Sequence, residues 1–146
     1  KAREFFCEVL DFYQPEKVDL PEGDGSLAIW LTASNKAHDI AFVEHEEPGK
    51  LHHVAFLLQD WNEVGAAADI ISINDVSLDI GPTRHGITRG QTIYFFDPSG
   101  NRNEVYAGGY TAYPDHPVRS WDFDHVGKGI FYHDRTLNDR FLTVLT

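Results

Sequence analysis

Between Lys50 and Tyr106 the hydrophobic rhythm changes twice, and this limits the available folds more than any other feature of the chain. Residues 51–56 (LHHVAF) read as a short, largely apolar strand that begins after the Pro48-Gly49 break. Asp60-Trp61-Asn62-Glu63 then places an acceptor at a helix entrance and a carboxylate three residues on. This capping pattern opens an alanine-rich helix to about Ile71. Three more strand-like runs follow: residues 77–80, ended by Gly81-Pro82; residues 91–96, after the polar stretch 83–89; and residues 102–106, after the turn 97–101 (DPSGN). The order is β, α, β, β, β.

The first part of the chain echoes that order from its helix onward. Phe5, Phe6, Val9 and Leu10 make a helical stripe over residues 3–10, with Cys7 expected on its apolar side as a small core residue. Pro15 follows, then the turn-prone residues 21–25 (PEGDG), then strands at 27–32 and 39–43. The expected fold is α+β, a single domain of paired βαβββ modules. Residues 1–47 form a first module lacking the strand that should precede Lys1, residues 50–107 the second, and residues 108–146 a tail ending in a short amphipathic segment, 137–145. With Lys1 first and no methionine, the chain reads as the back part of a longer polypeptide.

Composition removes several function classes. Twenty-three acidic against twelve basic residues give a formal charge of −11, which repels phosphate backbones and anionic lipid surfaces, so neither nucleic acid nor membrane is an expected partner. No apolar run reaches the roughly 18 residues of a spanning helix, and the single cysteine cannot form an internal disulfide. A reducing, cytoplasmic setting fits. No phosphate loop or paired-cysteine zinc motif is present.

Two side chains with metal-binding chemistry interrupt apolar stretches 51 residues apart, His53 and Glu104. Burying either is costly without a partner, and a divalent cation would serve both. Pattern alone leaves other readings open: Glu104 exposed or paired with Arg102, and His53 hydrogen-bonded in the core. In a continuous strand His52 and His53 face opposite ways, so at most one enters a given cavity. His125, in Phe123-Asp124-His125-Val126, is rejected as a third ligand. Only 21 residues follow it, too few for another module, and Gly127-Lys128-Gly129 interrupts the strand. His45, His52, His116 and His133 are expected at the surface or in packing roles.

Lys36-Ala37-His38-Asp39, residues 51–56, residues 80–90 (IGPTRHGITRG), residues 94–106 (YFFDPSGNRNEVY) and Gly129-Ile130-Phe131-Tyr132-His133 together resemble the catalytic domain of the extradiol catechol dioxygenases. These belong to the vicinal oxygen chelate superfamily, and the resemblance covers almost the whole chain. It implies a non-haem Fe(II) site with His53 and Glu104 as two ligands and a third, a histidine, on a strand upstream of Lys1. It further implies an acid–base role for His38, and His85 and Tyr94 hydrogen-bonded to the substrate oxygens. The implied reaction is cleavage of catechol or alkylcatechols with O2 to a 2-hydroxymuconic semialdehyde-type product, by a homo-oligomer, commonly a tetramer. The family's separate N-terminal domain lies outside this chain, which by itself is expected to be inactive. Two alternatives on the same fold are a metal-free module that binds an aromatic ligand and a glyoxalase-like enzyme using Ni(II), Zn(II) or Mg(II).

Overall fold

The computed structural model describes residues 1–22 and 25–146; Gly23 and Asp24, in the expected turn at 21–25, lie outside the described residues. Two four-stranded sheets form the body. Sheet 1 has the order β3-β2-β1-β8 and sheet 2 the order β4-β7-β6-β5. Sheet 1 comprises β1 (Tyr13–Asp19), β2 (Ser26–Thr32), β3 (Ile40–Val43) and β8 (Arg119–Trp121); sheet 2 comprises β4 (Val54–Leu57), β5 (Leu78–Arg84), β6 (Gly90–Phe96) and β7 (Arg102–Gly108).

In sheet 2 the expected order of elements is found. Asp60 caps α2 (Trp61–Ile73) by accepting from the backbone N–H groups of Asn62 and Glu63, at 2.8 and 3.1 Å. Glu63 reaches back to accept from Gln59 N at 2.7 Å, one residue beyond the usual box partner. The helix buries Val64 and Ala68 against Ile93 and Ala107 on the outer face of the sheet. The strand expected at 51–56 is shorter: β4 starts at Val54, because Leu51 exchanges backbone hydrogen bonds with Thr146 at the chain end (2.7 and 2.9 Å) instead of joining the ladder. The Gly81-Pro82 break is also overturned. β5 runs through it with irregular register, and Gly81 allows this. Its φ is +98°, and a Cβ there would lie 2.6 Å from the carbonyl oxygen of Thr92.

Sheet 1 contains a strand that the sequence hid. β1 carries Pro15, a strand breaker, yet lies between β2 and β8; the register shifts between Tyr13 and Glu16, so Pro15 sits where no ladder donor is needed. β8 comes from the tail, which showed no period, and pairs parallel to β1. The opening helix is present, as α1 (Ala2–Glu4) continued by a π-helical stretch over Phe5–Val9. Its stripe is largely unburied: Phe5 and Val9 are 51% and 66% exposed, and Cys7 is half-buried, not a core residue. The tail adds α3 (Val126–Ile130) and α4 (Asp139–Thr143), and Phe141 of α4 packs with Tyr94 and Phe131. No helix among the described residues is long and apolar enough to cross a membrane.

Candidate functional site

The antiparallel ladder between β6 and β7 sets Tyr94 opposite Glu104, and the parallel ladder between β4 and β7 sets Ala55 beside Glu104. Residues 102 and 104 share a strand face, and both point inward: Arg102 is 2% and Glu104 5% exposed. Arg102 is not the partner of Glu104. Its Nε donates to Asp79 at 3.0 Å, while Glu104 Oε1 accepts from the Thr92 hydroxyl at 2.5 Å. Thr92 lies two residues before Tyr94 on the same face, a supporting role the sequence reading missed although its spacing could have revealed it.

Around Glu104 three of the predicted residues, His53, His85 and Tyr94, come together. His53, one residue before β4, places Nε2 3.1 Å from Glu104 Oε2. His85, just after β5, places Nε2 3.5 Å from Glu104 Oε1 and 2.9 Å from the Tyr94 hydroxyl, while its Nδ1–H donates to the carbonyl of Ile130. His38 lies half-buried between β2 and β3, its ring 6.4 Å from that of Tyr106. The other histidines are as expected for surface or packing positions, with one refinement. His52 does not face away from His53: neither is in a strand, so alternation does not govern them, and their rings are 4.8 Å apart. His52 Nε2–H donates to the carbonyl of Phe141 at 2.7 Å. His125 is exposed, 3.6 Å from Asp122.

The electrostatics follow from this geometry. Burial alone would raise the carboxyl pKa of Glu104, but the adjacent His53 and His85 rings outweigh it and hold the group below the ordinary carboxylate range. Burial, reinforced by the Glu104 charge, pushes the Tyr94 phenol well above its ordinary value, so it remains a proton donor. Burial lowers His38 to about 4; it also lowers His52 to about 4, with the neighbouring His53 adding to the effect.

Folded His38 and His52 are therefore neutral in a range where the unfolded chain takes up protons, below about 6.5. Stability is fully present above that value and falls as pH drops towards 4, by up to about 1.4 kcal/mol per pH unit for each ring. The urea midpoint of the metal-free protein should decline steadily over this window. A flat midpoint between pH 6.5 and 4.5 would contradict the burial of two neutral imidazoles.

A cation bound by one nitrogen and one oxygen, each at about 2.1 Å and at right angles, has its two donors about 3.0 Å apart. The His53–Glu104 separation of 3.1 Å matches, and a nitrogen–carboxylate pair suits iron, manganese or zinc. These two residues fit part of a metal site. Among the described residues, no group of three His, Cys, Asp or Glu side chains is arranged to hold an ion.

The family model described as "Glyoxalase/Bleomycin resistance protein/Dioxygenase superfamily" matches residues 1–105. The chain belongs to this superfamily. Its two mixed four-stranded sheets with few helices are the α+β architecture of that glyoxalase-type fold. Within the superfamily, the chain is 58% identical over 142 residues to a metapyrocatechase of Pseudomonas sp. (strain CF600), covering 97% of this chain and 46% of that protein. It is 32% identical over 109 residues to a manganese-dependent 2,3-dihydroxybiphenyl 1,2-dioxygenase of Geobacillus genomosp. 3, covering 71% of this chain and 35% of that protein. The crystal structure of the 2,3-dioxygenase LapB from Pseudomonas sp. KL28 superposes with a TM-score of 0.82 at 57% identity, over 84% of this chain and 43% of that one. The chain thus spans about half the length of the relatives it matches.

Proposed function

We propose that this chain is the catalytic part of an Fe(II)-dependent extradiol dioxygenase, which cleaves catechol or alkylcatechols with O2 to a 2-hydroxymuconic semialdehyde-type product. The observation that carries the reading is the convergence of His53 Nε2 and Glu104 Oε2, with the His85–Tyr94 pair beside them. The 58% identity to a metapyrocatechase supports it. His53 and Glu104 would hold the metal, and the third ligand would be a histidine on a strand preceding Lys1. A free edge suits such a strand: β3 ends sheet 1, and all four residues of β4, at the end of sheet 2, are exposed. Residues 1–47 and 50–107 would then be the two modules and 108–146 the covering tail.

A ferrous ion, when bound, supplies positive charge and a route for electrons between diol and dioxygen. The remaining work falls to the protein. Tyr94, kept protonated by burial, donates to a substrate oxygen, and His85, anchored through Nδ1–H to Ile130, accepts or returns a proton at the same oxygen. His38, neutral at pH 7, offers a lone pair to a proton released by the diol. Phe131 and Phe141, packed against Tyr94, give a planar ring an apolar wall and exclude water. A cytoplasmic homo-tetramer belongs to the same proposal and rests on the family resemblance.

Ferrous iron and catechol added anaerobically to the full-length protein, followed by O2, should give a yellow ring-opened product. Iron bound with no colour formed would end the proposal. One relative is named manganese-dependent, so the same assay with Mn(II) separates the two metals: activity with Mn(II) and none with Fe(II) would replace iron in the reading.

A further inference from the structure

Glu16 is 2% exposed on β1, in sheet 1 and away from the sheet that carries Glu104, and the reaction described above makes no use of it. Its carboxylate accepts three hydrogen bonds. Oε2 takes the backbone N–H of Thr88 at 2.8 Å and the Tyr110 hydroxyl at 2.9 Å; Oε1 takes the indole N–H of Trp121 at 2.7 Å. The Thr88 bond matters most. Thr88 belongs to the loop that joins His85 to β6, and the loop is strained, with Thr88 and Arg89 at φ +60° and +63°. Thr88 is 4% exposed, so without Glu16 its N–H would be a buried donor with no acceptor. The other side of the loop is fixed too: Gly86 N and Ile87 N both donate to Gly129 O at 2.8 Å, and the Trp121 ring lies 2.9 Å from where a Gly86 Cβ would stand.

We infer that Glu16 is a positioning residue for His85: by fixing the loop through Thr88, it holds the imidazole against the Tyr94 hydroxyl and Glu104. The inference rests on the ring-cleavage reading. A carboxylate suits the place because all three partners point hydrogens at it. A glutamine offers one acceptor oxygen, so its amide must confront either the Trp121 N–H or the Thr88 N–H, donor against donor. An aspartate keeps both acceptors but falls short by a methylene.

Glu16→Gln and Glu16→Asp are made in the full-length protein, loaded with Fe(II) and compared with wild type in metal content, circular dichroism, kcat, KM and the visible band of anaerobically bound 4-nitrocatechol. The nitrocatechol band reports how the diol oxygens are hydrogen-bonded. Displacing His85 by a fraction of an ångström should lower kcat by about tenfold or more and shift the band, at an unchanged metal ratio. Should the Gln variant not fold, the Asp variant decides. A folded variant with kcat within about twofold of wild type and an unshifted band overturns the inference. So does a loss of activity that only tracks the unfolded fraction. A wild type that gives no yellow product sinks the ring-cleavage reading instead, and the His85 ring-nitrogen NMR resonances of wild type and Glu16→Gln then decide whether Glu16 positions that ring.

Discussion

Glu104→Ala in the full-length protein is expected to release the metal and abolish ring cleavage, with kcat/KM falling by about a thousandfold or more. In the proposed centre two of the donors would be His53 Nε2 and Glu104 Oε2, which lie 3.1 Å apart, and the carboxylate is the anionic one. Without it only the neutral His53 imidazole of the pair remains, and a divalent cation would lose its charge partner in a buried place. Glu104→Gln keeps the volume and the Thr92 contact but removes the charge, so it should behave almost as badly. His53→Ala should match it. Tyr94→Phe is the contrast: it removes a proton donor 2.9 Å from His85 and leaves both donors, so kcat should fall by about a hundredfold with metal retained. Metal analysis of the purified variants beside the yellow-product assay separates these outcomes. Full metal occupancy in Glu104→Ala would remove this residue from the ligand set.

The residues of this candidate site were legible in the sequence where they depended on residue type in an apolar setting or on the family resemblance, and illegible where they depended on tertiary pairing. His53 and Glu104 stood out because each interrupts a hydrophobic run, and the DPSGN turn made β6 and β7 hairpin neighbours, which sets Tyr94 opposite Glu104. Glu16 could not be recognised in the same way. It lies beside Pro15 in a segment to which the sequence assigned no element, and its three partners come from positions 88, 110 and 121, far along the chain. β8 was hidden for the same reason: a three-residue strand has no period of its own and exists because β1 offers an edge. The Gly81-Pro82 break misled because local propensity there favours a turn, whereas the sheet accommodates the pair through a bulge that only glycine fits. Cys7 and its helix show the opposite error. An amphipathic stripe reveals which face is apolar, not what covers it, and here Phe5 and Val9 stay exposed.

Arg102→Ala should produce the largest loss of stability of any single change outside the site. The Arg102 and Asp79 side chains are each 1% exposed and joined at 3.0 Å. The guanidinium also donates to two tail carbonyls, those of Val144 at 2.8 Å and Arg140 at 3.0 Å, and lies between the rings of Phe96 and Phe141. Truncation leaves a buried Asp79 with only the half-exposed Arg140 for a partner and strands the Val144 carbonyl, while the Arg140 carbonyl keeps the backbone N–H of Val144 at 3.2 Å. Breaking a buried pair from one side costs about 3–5 kcal/mol, which for a domain of this size lowers the melting temperature by about 10–16 °C. Arg102→Lys keeps the charge, but one ammonium cannot span Asp79 and both carbonyls, so about half the loss should remain. The double variant Arg102→Met, Asp79→Asn should be less damaging than Arg102→Ala alone, since no unpaired charge is left inside. The consequence reaches the site through α4. Freed of Arg102, the last turn no longer presses Phe141 against Tyr94 at 5.1 Å, so limited proteolysis should cut near residues 139–146 before the protein melts. A melting temperature within about 3 °C of wild type for Arg102→Ala would mean that the tail is held by its apolar contacts and not by this arginine.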